Sequence, residues 1–238
     1  MISKNEIKYI QSLYHKKNRD IENTFIAEGA KIVDEILQQS YHVKKIFATE
    51  GWSNADLKQT AFAQIAEHEL QKISQLQTPN HVLALVEKKK LPESPDLNNK
   101  LTLVLDGIQD PGNLGTIIRI ADWFNITQIV AAPDTVDVYN SKVIQSTMAS
   151  FMRVNVWYKD LPGFLAGCKL PVYGAMLDGE NVYSKKIKEG LLVIGNESKG
   201  IRTEIQSFIQ HKLTIPKIGA AESLNAAVAT GIILSHIL

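Results

Sequence analysis

The chain has 238 residues, of which 45% are hydrophobic and 21% are charged, and its 26 Lys and Arg residues nearly balance its 25 Asp and Glu residues. This is an ordinary globular composition for one or two domains, and a net charge of +1 gives no general argument for a nucleic-acid partner. The single cysteine, Cys168, excludes an internal disulfide and a thiolate metal cluster, and the six histidines form no HxH or HExxH pattern, so we expect no metal site.

The first residues lack the apolar segment of a signal peptide. No apolar run reaches the roughly 20 residues that a membrane-spanning helix needs. We therefore expect a cytoplasmic protein with no membrane partner.

Residues 1–90 alternate short strands and helices, which predicts a small α/β domain. Apolar periodicity predicts helices at 4–17, 30–39, 54–62 and 69–75, and strands at 24–27, 43–49, 64–66 and 81–87. A basic cluster, His15-Lys16-Lys17-Asn18-Arg19, follows the first helix. Such a cluster is most often a solvated face, so it does not by itself identify a nucleic-acid site.

Residues 91–100 are polar, contain two prolines and have no period, which predicts a linker. The second predicted domain, 101–238, opens with the continuous apolar run of a buried parallel strand. Further strands are predicted at 128–132, 154–158, 172–176, 191–194 and 213–215, and helices at 113–124, 141–152, 161–168, 202–209 and from 226 onward. This alternation predicts a mainly parallel sheet.

The turn that follows the first of these strands contains Asn113, which we expect to cap the next helix, and Arg119 lies farther along that helix. The guanidinium of Arg119 is suited to phosphate oxygens, although a salt bridge to a nearby carboxylate such as Asp122 is the favoured interpretation of this residue by itself. The turn lacks the GxGxxG and GxxxxGK[ST] patterns of nucleotide-binding loops.

Two later loops also carry small and polar residues. In the sequence Gly195-Asn196-Glu197-x-x-Gly200, the carboxylate can accept a proton, bind backbone amides, pair with a cation or stabilise the start of the next helix. In Ser223-Leu224-Asn225, the polar groups can simply cap the last helix. That helix has Thr230 as its only polar side chain between 226 and 234, which predicts burial in a core or an interface.

In this order, the three loops resemble the three motifs of the SpoU/TrmH family of RNA 2′-O-ribose methyltransferases, in the SPOUT class. The resemblance covers residues 101–238. The N-terminal segments Lys16-Lys17-x-Arg19, Phe25-Ile-Ala-Glu28-Gly29 and Thr78-Pro79 are similar to the small substrate-binding domain, of the ribosomal-protein L30e type, that many members carry.

The resemblance implies a C-terminal trefoil knot, a homodimer formed through the knotted domain, and S-adenosylmethionine as cofactor. The family's cofactor-binding positions correspond to Met176, Gly195, Asn196, Gly200, Ile215 and Leu224. Its catalytic positions correspond to Arg119, Asn113, Glu197, Ser223 and Asn225. RNA contacts are expected at Lys16, Lys17, Arg19 and Ser150. The chain departs from the family's usual Ser-x-Gly-Ala pattern, because Ala149 stands in place of the glycine.

These features imply methyl transfer to a ribose 2′-hydroxyl of structured RNA, with rRNA favoured over tRNA because minimal tRNA-directed members tend to lack the N-terminal domain. Arg119 is expected to clamp a phosphate and to stabilise the developing alkoxide, while proton removal by this residue stays open. An alternative is a non-catalytic RNA-binding or ribosome-assembly protein with a retired methyltransferase domain. A nucleotide-dependent oxidoreductase would need the dinucleotide fingerprint that is missing here.

Overall fold

The structure is a computed structural model, and it describes residues 1–54, 57 and 60–238. It contains two compact units. The first comprises Met1–Lys90 and Tyr139–Ala149, and the second comprises Leu91–Val138 and Ser150–Leu238. The predicted linker, 91–100, lies in the second unit, where the indole of Trp157 donates a hydrogen bond to the carbonyl of Pro92 at 2.9 Å.

The first unit is built on a four-stranded sheet with the order β1-β4-β2-β3. Its strands are β1 (Thr24–Glu28), β2 (Val43–Ala48), β3 (Ala61–Gln64) and β4 (Val82–Glu87). Its helices are α1 (Lys4–Ser12), α2 (Lys16–Glu22), α3 (Ala30–Gln38), α4 (Glu67–Ile73) and α6 (Ser141–Thr147). β4 pairs antiparallel with both β1 and β2, whereas β3 runs parallel to β2.

The single helix predicted at 4–17 is instead two helices, α1 and α2. A side chain of α2 binds free carbonyls at the end of α1, because the Arg19 guanidinium donates to the carbonyls of Leu13 and Tyr14, both at 2.9 Å. A local cationic side chain thus satisfies helix-end carbonyls that have no partner inside the helix. Of the helix predicted at 54–62, residues 55, 56, 58 and 59 lie outside the described residues, and residues 61 and 62 belong to β3.

The second unit is built on a six-stranded sheet with the order β10-β8-β9-β5-β6-β7, in which all neighbouring strands are parallel. Its strands are β5 (Leu101–Asp106), β6 (Gln128–Ala131), β7 (Asn155–Tyr158), β8 (Val172–Asn181), β9 (Gly190–Gly195) and β10 (His211–Thr214). Its helices are α5 (Pro111–Trp123), α7 (Leu161–Ala166), α8 (Thr203–Gln206) and α9 (Ala226–Ile237). The predicted mainly parallel α/β architecture is therefore confirmed.

Two helix predictions in this half of the chain are wrong. Asn113 does not cap α5, because Asp110 is the N-cap and its carboxylate accepts from the Asn113 amide at 2.8 Å. The helix predicted at 141–152 ends at Thr147, where Met148 and Ala149 adopt φ values of 48° and 76°. This left-handed region favours glycine, so Ala149 occupies the family's glycine position with a backbone that suits glycine better.

Helices α5 and α9 pack against each other in the second unit. Gly231 of α9 faces Ile120 of α5, and a Cβ at this glycine would lie at an ordinary contact distance of 3.5 Å from the Ile120 side chain. Within the single chain, α9 buries one side, including Ile233 and Leu234, while Val228 is 51% exposed, so the interface part of the prediction for this helix stays a prediction. None of the described helices is both long and apolar enough to cross a membrane.

Candidate active site at the ends of strands β5 and β9

The carboxyl ends of β5 and β9 lie side by side, with Asp106 paired to Gly195 in the parallel register. A Cβ at Gly195 would lie 2.3 Å from the Gly200 carbonyl carbon, so only glycine fits there. Asn196 and Gly200 close the loop with two backbone hydrogen bonds, of 3.0 and 2.8 Å. In parallel α/β sheets, ligands bind at this edge, beyond the carboxyl ends of the strands.

Asn196 and Arg202 fix the two ends of the 195–202 loop. The Asn196 amide donates to the carbonyl of Gly107 at 2.8 Å. The backbone N–H and the Nε of Arg202 each donate to the Asp106 carboxylate at 2.7 Å, and the side chain of Asp106 is fully buried. Hydrogen bonding to Asp106 raises the pKa of Arg202 above its usual value. A buried ion pair of this kind is tolerated because the charged partner also satisfies the carboxylate with several hydrogen bonds.

Three of the predicted catalytic residues meet in one hydrogen-bonded chain. Asn225 is the N-cap of α9, and its Oδ1 accepts from the amides of Ala227 and Val228 at 2.9 and 3.2 Å. Its Nδ2 donates to Oδ1 of Asn113 at 2.8 Å. Asn113 in turn donates through Nδ2 to Oε1 of Glu197. The start of α5, the β9 loop and the start of α9 therefore converge on one polar cluster.

Arg119 lies on α5, is exposed, and makes no hydrogen bond or ion pair with the described residues. The salt bridge considered for it does not form, because Asp122 binds Arg153 instead, with 2.8 Å between Nη2 and Oδ2. A guanidinium held on a helix without a protein partner keeps its donors available for an anionic ligand.

The other predicted cofactor residues line the surrounding strand ends and loops. Met176 is half-buried in β8 and packs against a hydrophobic cluster of the second unit that includes Val172 and Val193. Ile215 is half-buried just after β10, and Leu224 is 46% exposed. Ser223 is exposed and makes no hydrogen bond with the described residues, so the structure does not join it to the Asn113 cluster.

The predicted RNA contacts divide into exposed and buried residues. Lys16 and Lys17 are exposed on α2, with Lys16 3.4 Å from Asp20. Arg19 is only 4% exposed and binds carbonyls of α1, so its assignment to RNA is corrected to a structural role. Ser150 is also 4% exposed, in a 3₁₀ turn, which does not place its hydroxyl on an accessible surface.

Sequence reasoning missed the contact between Asp106 and Arg202. Asp106 ends an otherwise apolar buried strand, and a carboxylate in that position needs a compensating partner. This is a usable signal, but the partner lies 96 residues away along the chain. Its identity depends on the tertiary structure.

Comparison with sequence families assigns both parts of the chain. Residues 100–235 match the model of the SpoU rRNA Methylase family, and residues 4–84 match the MRM3-like substrate binding domain. The chain belongs to the SpoU family. The predicted family and the predicted N-terminal substrate-binding domain are therefore confirmed.

Characterised relatives and solved structures cover nearly the whole chain. The 23S rRNA (guanosine(2553)-2′-O)-methyltransferase RlmP of Bacillus subtilis is 30% identical over 98% of this chain and 95% of its own length. A TrmH-family protein from Porphyromonas gingivalis is 36% identical with a TM-score of 0.87, and the alignment covers 99% of this chain and 98% of that one. An AdoMet-bound rRNA methyltransferase from Sinorhizobium meliloti is 27% identical with a TM-score of 0.88, covering 100% and 95%.

Proposed function

We propose that this SpoU-family protein transfers a methyl group from S-adenosylmethionine to a ribose 2′-hydroxyl of rRNA. The observation that carries the proposal is the hydrogen-bonded cluster of Asn113, Glu197 and Asn225, together with an exposed Arg119 that has no described partner, on the helix that carries Asn113. The named RlmP relative acts on 23S rRNA, which favours rRNA as the substrate class.

The residues at the strand ends fit S-adenosylmethionine. The absence of a side chain at Gly195 lets the loop fold back on its own backbone at Gly200, and the space beside Gly200 is open, so a ligand can approach the loop there. Met176, Ile215 and Leu224 supply apolar surface around the loop, and Asn196 holds the loop in place. The cofactor, when bound, supplies an activated methyl group and a neutral leaving group. The protein contributes position and electrostatics.

Arg119 then binds the phosphate next to the target ribose and stabilises negative charge that develops on the attacking oxygen. Because a guanidinium has five donors, no acceptor and a permanent charge, this role matches its chemistry. Asn113 and Asn225 orient Glu197 and the ribose. Ser223, on the exposed loop before α9, is proposed to join this set when substrate is bound.

A homodimer through the α5–α9 surface fits the same scheme. Trp123 is 85% exposed and Val228 is 51% exposed, so these two helices present apolar surface that solvent alone covers in the monomer. Such a dimer would direct Arg119 of one chain toward the cofactor of the other. We propose that the segment leading to α9 also threads the knot of this family.

The N-terminal unit is proposed to bind structured RNA through Lys16 and Lys17. Phosphate contacts of this kind give an affinity that decreases steeply with salt. An rRNA substrate would place the protein in the cytoplasm. The alternative function, a retired domain that binds RNA without catalysis, would not need the Asn113–Glu197–Asn225 cluster.

The test is to map 2′-O-methylation across total rRNA from a strain that lacks this protein and from its parent. One ribose that loses its methyl group, and regains it when purified protein and S-adenosylmethionine are added to the deficient rRNA, supports the proposal. Unchanged methylation together with no heat of S-adenosylmethionine binding in calorimetry would favour the non-catalytic alternative.

A further inference from the structure

The hydrogen-bonded chain from α9 to Glu197 has a defined direction. The two amides at the start of α9 are donors only, so the atom of Asn225 that faces them must be its oxygen. The nitrogen of Asn225 therefore faces Asn113, which must present its own oxygen. Backbone donors thus fix both amide orientations, which the shape of the side chains alone leaves ambiguous.

This direction determines the hydrogen-bonding role of Glu197. Asn113 has only its Nδ2 left to face Glu197, and an N–H group can only donate. Oε1 of Glu197 therefore serves as an acceptor at the end of the chain. The other oxygen, Oε2, has no hydrogen-bond partner among the described residues, and the side chain is half-buried.

The backbone on both sides of Glu197 is fixed. Before it, Asn196 binds the Gly107 carbonyl through Nδ2 and accepts from the Ser198 amide at 2.9 Å through Oδ1. After it, Arg202 is fastened to the buried Asp106. A carboxylate with one oxygen engaged and its main chain held at both ends can present the second oxygen in one place.

We propose that Glu197, rather than Arg119, accepts the proton of the ribose 2′-hydroxyl; this assignment rests on the proposed function. The hydroxyl oxygen forms a bond to the methyl carbon while the carbon–sulfur bond breaks and its electron pair stays on sulfur. The hydroxyl proton becomes strongly acidic as the oxygen–carbon bond forms, and it passes to Oε2 of Glu197. Arg119 keeps its charge throughout, since it has no lone pair to offer.

The Glu197→Gln variant tests whether Glu197 accepts a proton or only positions its neighbours. The glutamine oxygen can still accept from Asn113, so the chain to α9 is kept, whereas the amide nitrogen cannot take a proton. We expect the single-turnover rate of methyl transfer to decrease by about 10²–10⁴-fold. S-adenosylmethionine affinity, measured by calorimetry, is expected to change less than about threefold. The matched control is Glu189→Gln, an exposed carboxylate of the same unit, which should keep the full rate.

A second variant guards against misfolding of the first. Glu197→Ala removes the side-chain carboxylate and leaves space for a small free carboxylate. Added formate should therefore restore part of the methyl-transfer rate in a concentration-dependent way. A Glu197→Gln rate within about threefold of the wild type, or a Glu197→Ala rate that formate leaves unchanged, would overturn the assignment. Failure of the wild type to methylate rRNA would instead refute the proposed function, so the two failures are distinguishable.

Discussion

The turn between α1 and α2 and the loops around β5 and β9 are both rich in polar residues, but they use them differently. Next to the N-terminal turn, Arg19 of α2 is buried and binds the two backbone carbonyls of Leu13 and Tyr14. In the second unit, Arg119 of α5 is exposed and makes no hydrogen bond or ion pair with the described residues, while Asn113 and Glu197 are bound to each other. The first region uses its arginine to hold the backbone, whereas Arg119 in the second is the arginine that we propose binds a ligand.

This difference shows why a basic cluster is weaker support for RNA binding than a spaced motif. A cationic side chain that follows the end of a helix can donate its hydrogen bonds to the free carbonyls of that helix and is then unavailable to RNA. A cation well inside a helix, such as Arg119, faces no free carbonyl, and it pairs only if an acid lies nearby. Here the nearby acid, Asp122, is already bound to Arg153.

Removal of the Arg119 side chain should have the largest effect. We expect Arg119→Ala to lower the rate of methyl transfer by at least about 10²–10³-fold, because it removes a fixed donor to developing negative charge. S-adenosylmethionine binding should change little. A methyl-transfer assay with radiolabelled cofactor and calorimetry measure the two quantities.

The matched control for this experiment is Arg153→Ala. Arg153 is an exposed arginine beside the same helix, but it already has a carboxylate partner. We expect this variant to keep most of its activity. Substantial turnover by Arg119→Ala, or an equal decrease in both variants, would contradict the role given to Arg119.

Arg19→Ala should destabilise the protein rather than weaken chemistry. Two carbonyls at the end of α1 would be deprived of a charged donor, which costs about 2–3 kcal/mol in the free energy of unfolding. Urea denaturation followed by circular dichroism measures this change. Lys17→Ala, two residues earlier on the exposed face, is expected to stay within about 0.5 kcal/mol of the wild type. Equal stability of the two variants would contradict the structural role of Arg19.

Much of the second unit follows from the sequence, because buried parallel strands are continuous apolar runs and their polar ends collect at one edge. The same pattern placed Asn113, Glu197 and Asn225 in candidate loops. The pattern could not show that these residues contact each other, since Asn225 and Asn113 are 112 residues apart. It also misassigned the N-cap of α5 to Asn113, because Asp110 is an equally good cap three residues earlier. Periodicity also merged α1 with α2, because the contacts of Arg19 with the carbonyls of Leu13 and Tyr14, between the two helices, depend on three-dimensional geometry.

Charge reversal of Lys16 and Lys17 tests whether the rest of the basic cluster binds RNA. We expect the double variant Lys16→Glu/Lys17→Glu to bind an rRNA fragment about tenfold more weakly at low salt, and to lower the salt slope of log K by about one for each phosphate that it no longer neutralises. Filter binding over a salt series measures both quantities. The double variant Lys4→Glu/Lys8→Glu, at two exposed positions of α1, serves as the charge-matched comparison. An unchanged slope would remove α2 from the RNA surface.

The smallest effect, on the free energy of unfolding, is expected at Glu6, whose carboxylate also accepts a hydrogen bond from the backbone of the N-terminal unit. It accepts from the Ser3 amide at 2.9 Å and from Lys45 at 2.6 Å, and the bond from Lys45 is the main cause that lowers the pKa of Glu6 from 4.5 to about 2. A carboxylate with a lowered pKa in the folded state stabilises the protein above its unfolded pKa, and this contribution disappears as the pH decreases through the folded value.

Wild-type protein should therefore be more stable than Glu6→Gln at pH 7, by less than about 1 kcal/mol because the pair is partly exposed to solvent. The difference should shrink as the pH is lowered from about 5 toward 2. Urea denaturation of both proteins at pH 7, 4 and 3 measures it, and Lys45→Met should remove much of the same pH-dependent component. A difference that stays constant with pH would mean that the Lys45 contact contributes nothing in solution. In that case only the neutral hydrogen bonds of the cap would distinguish this carboxylate from a glutamine.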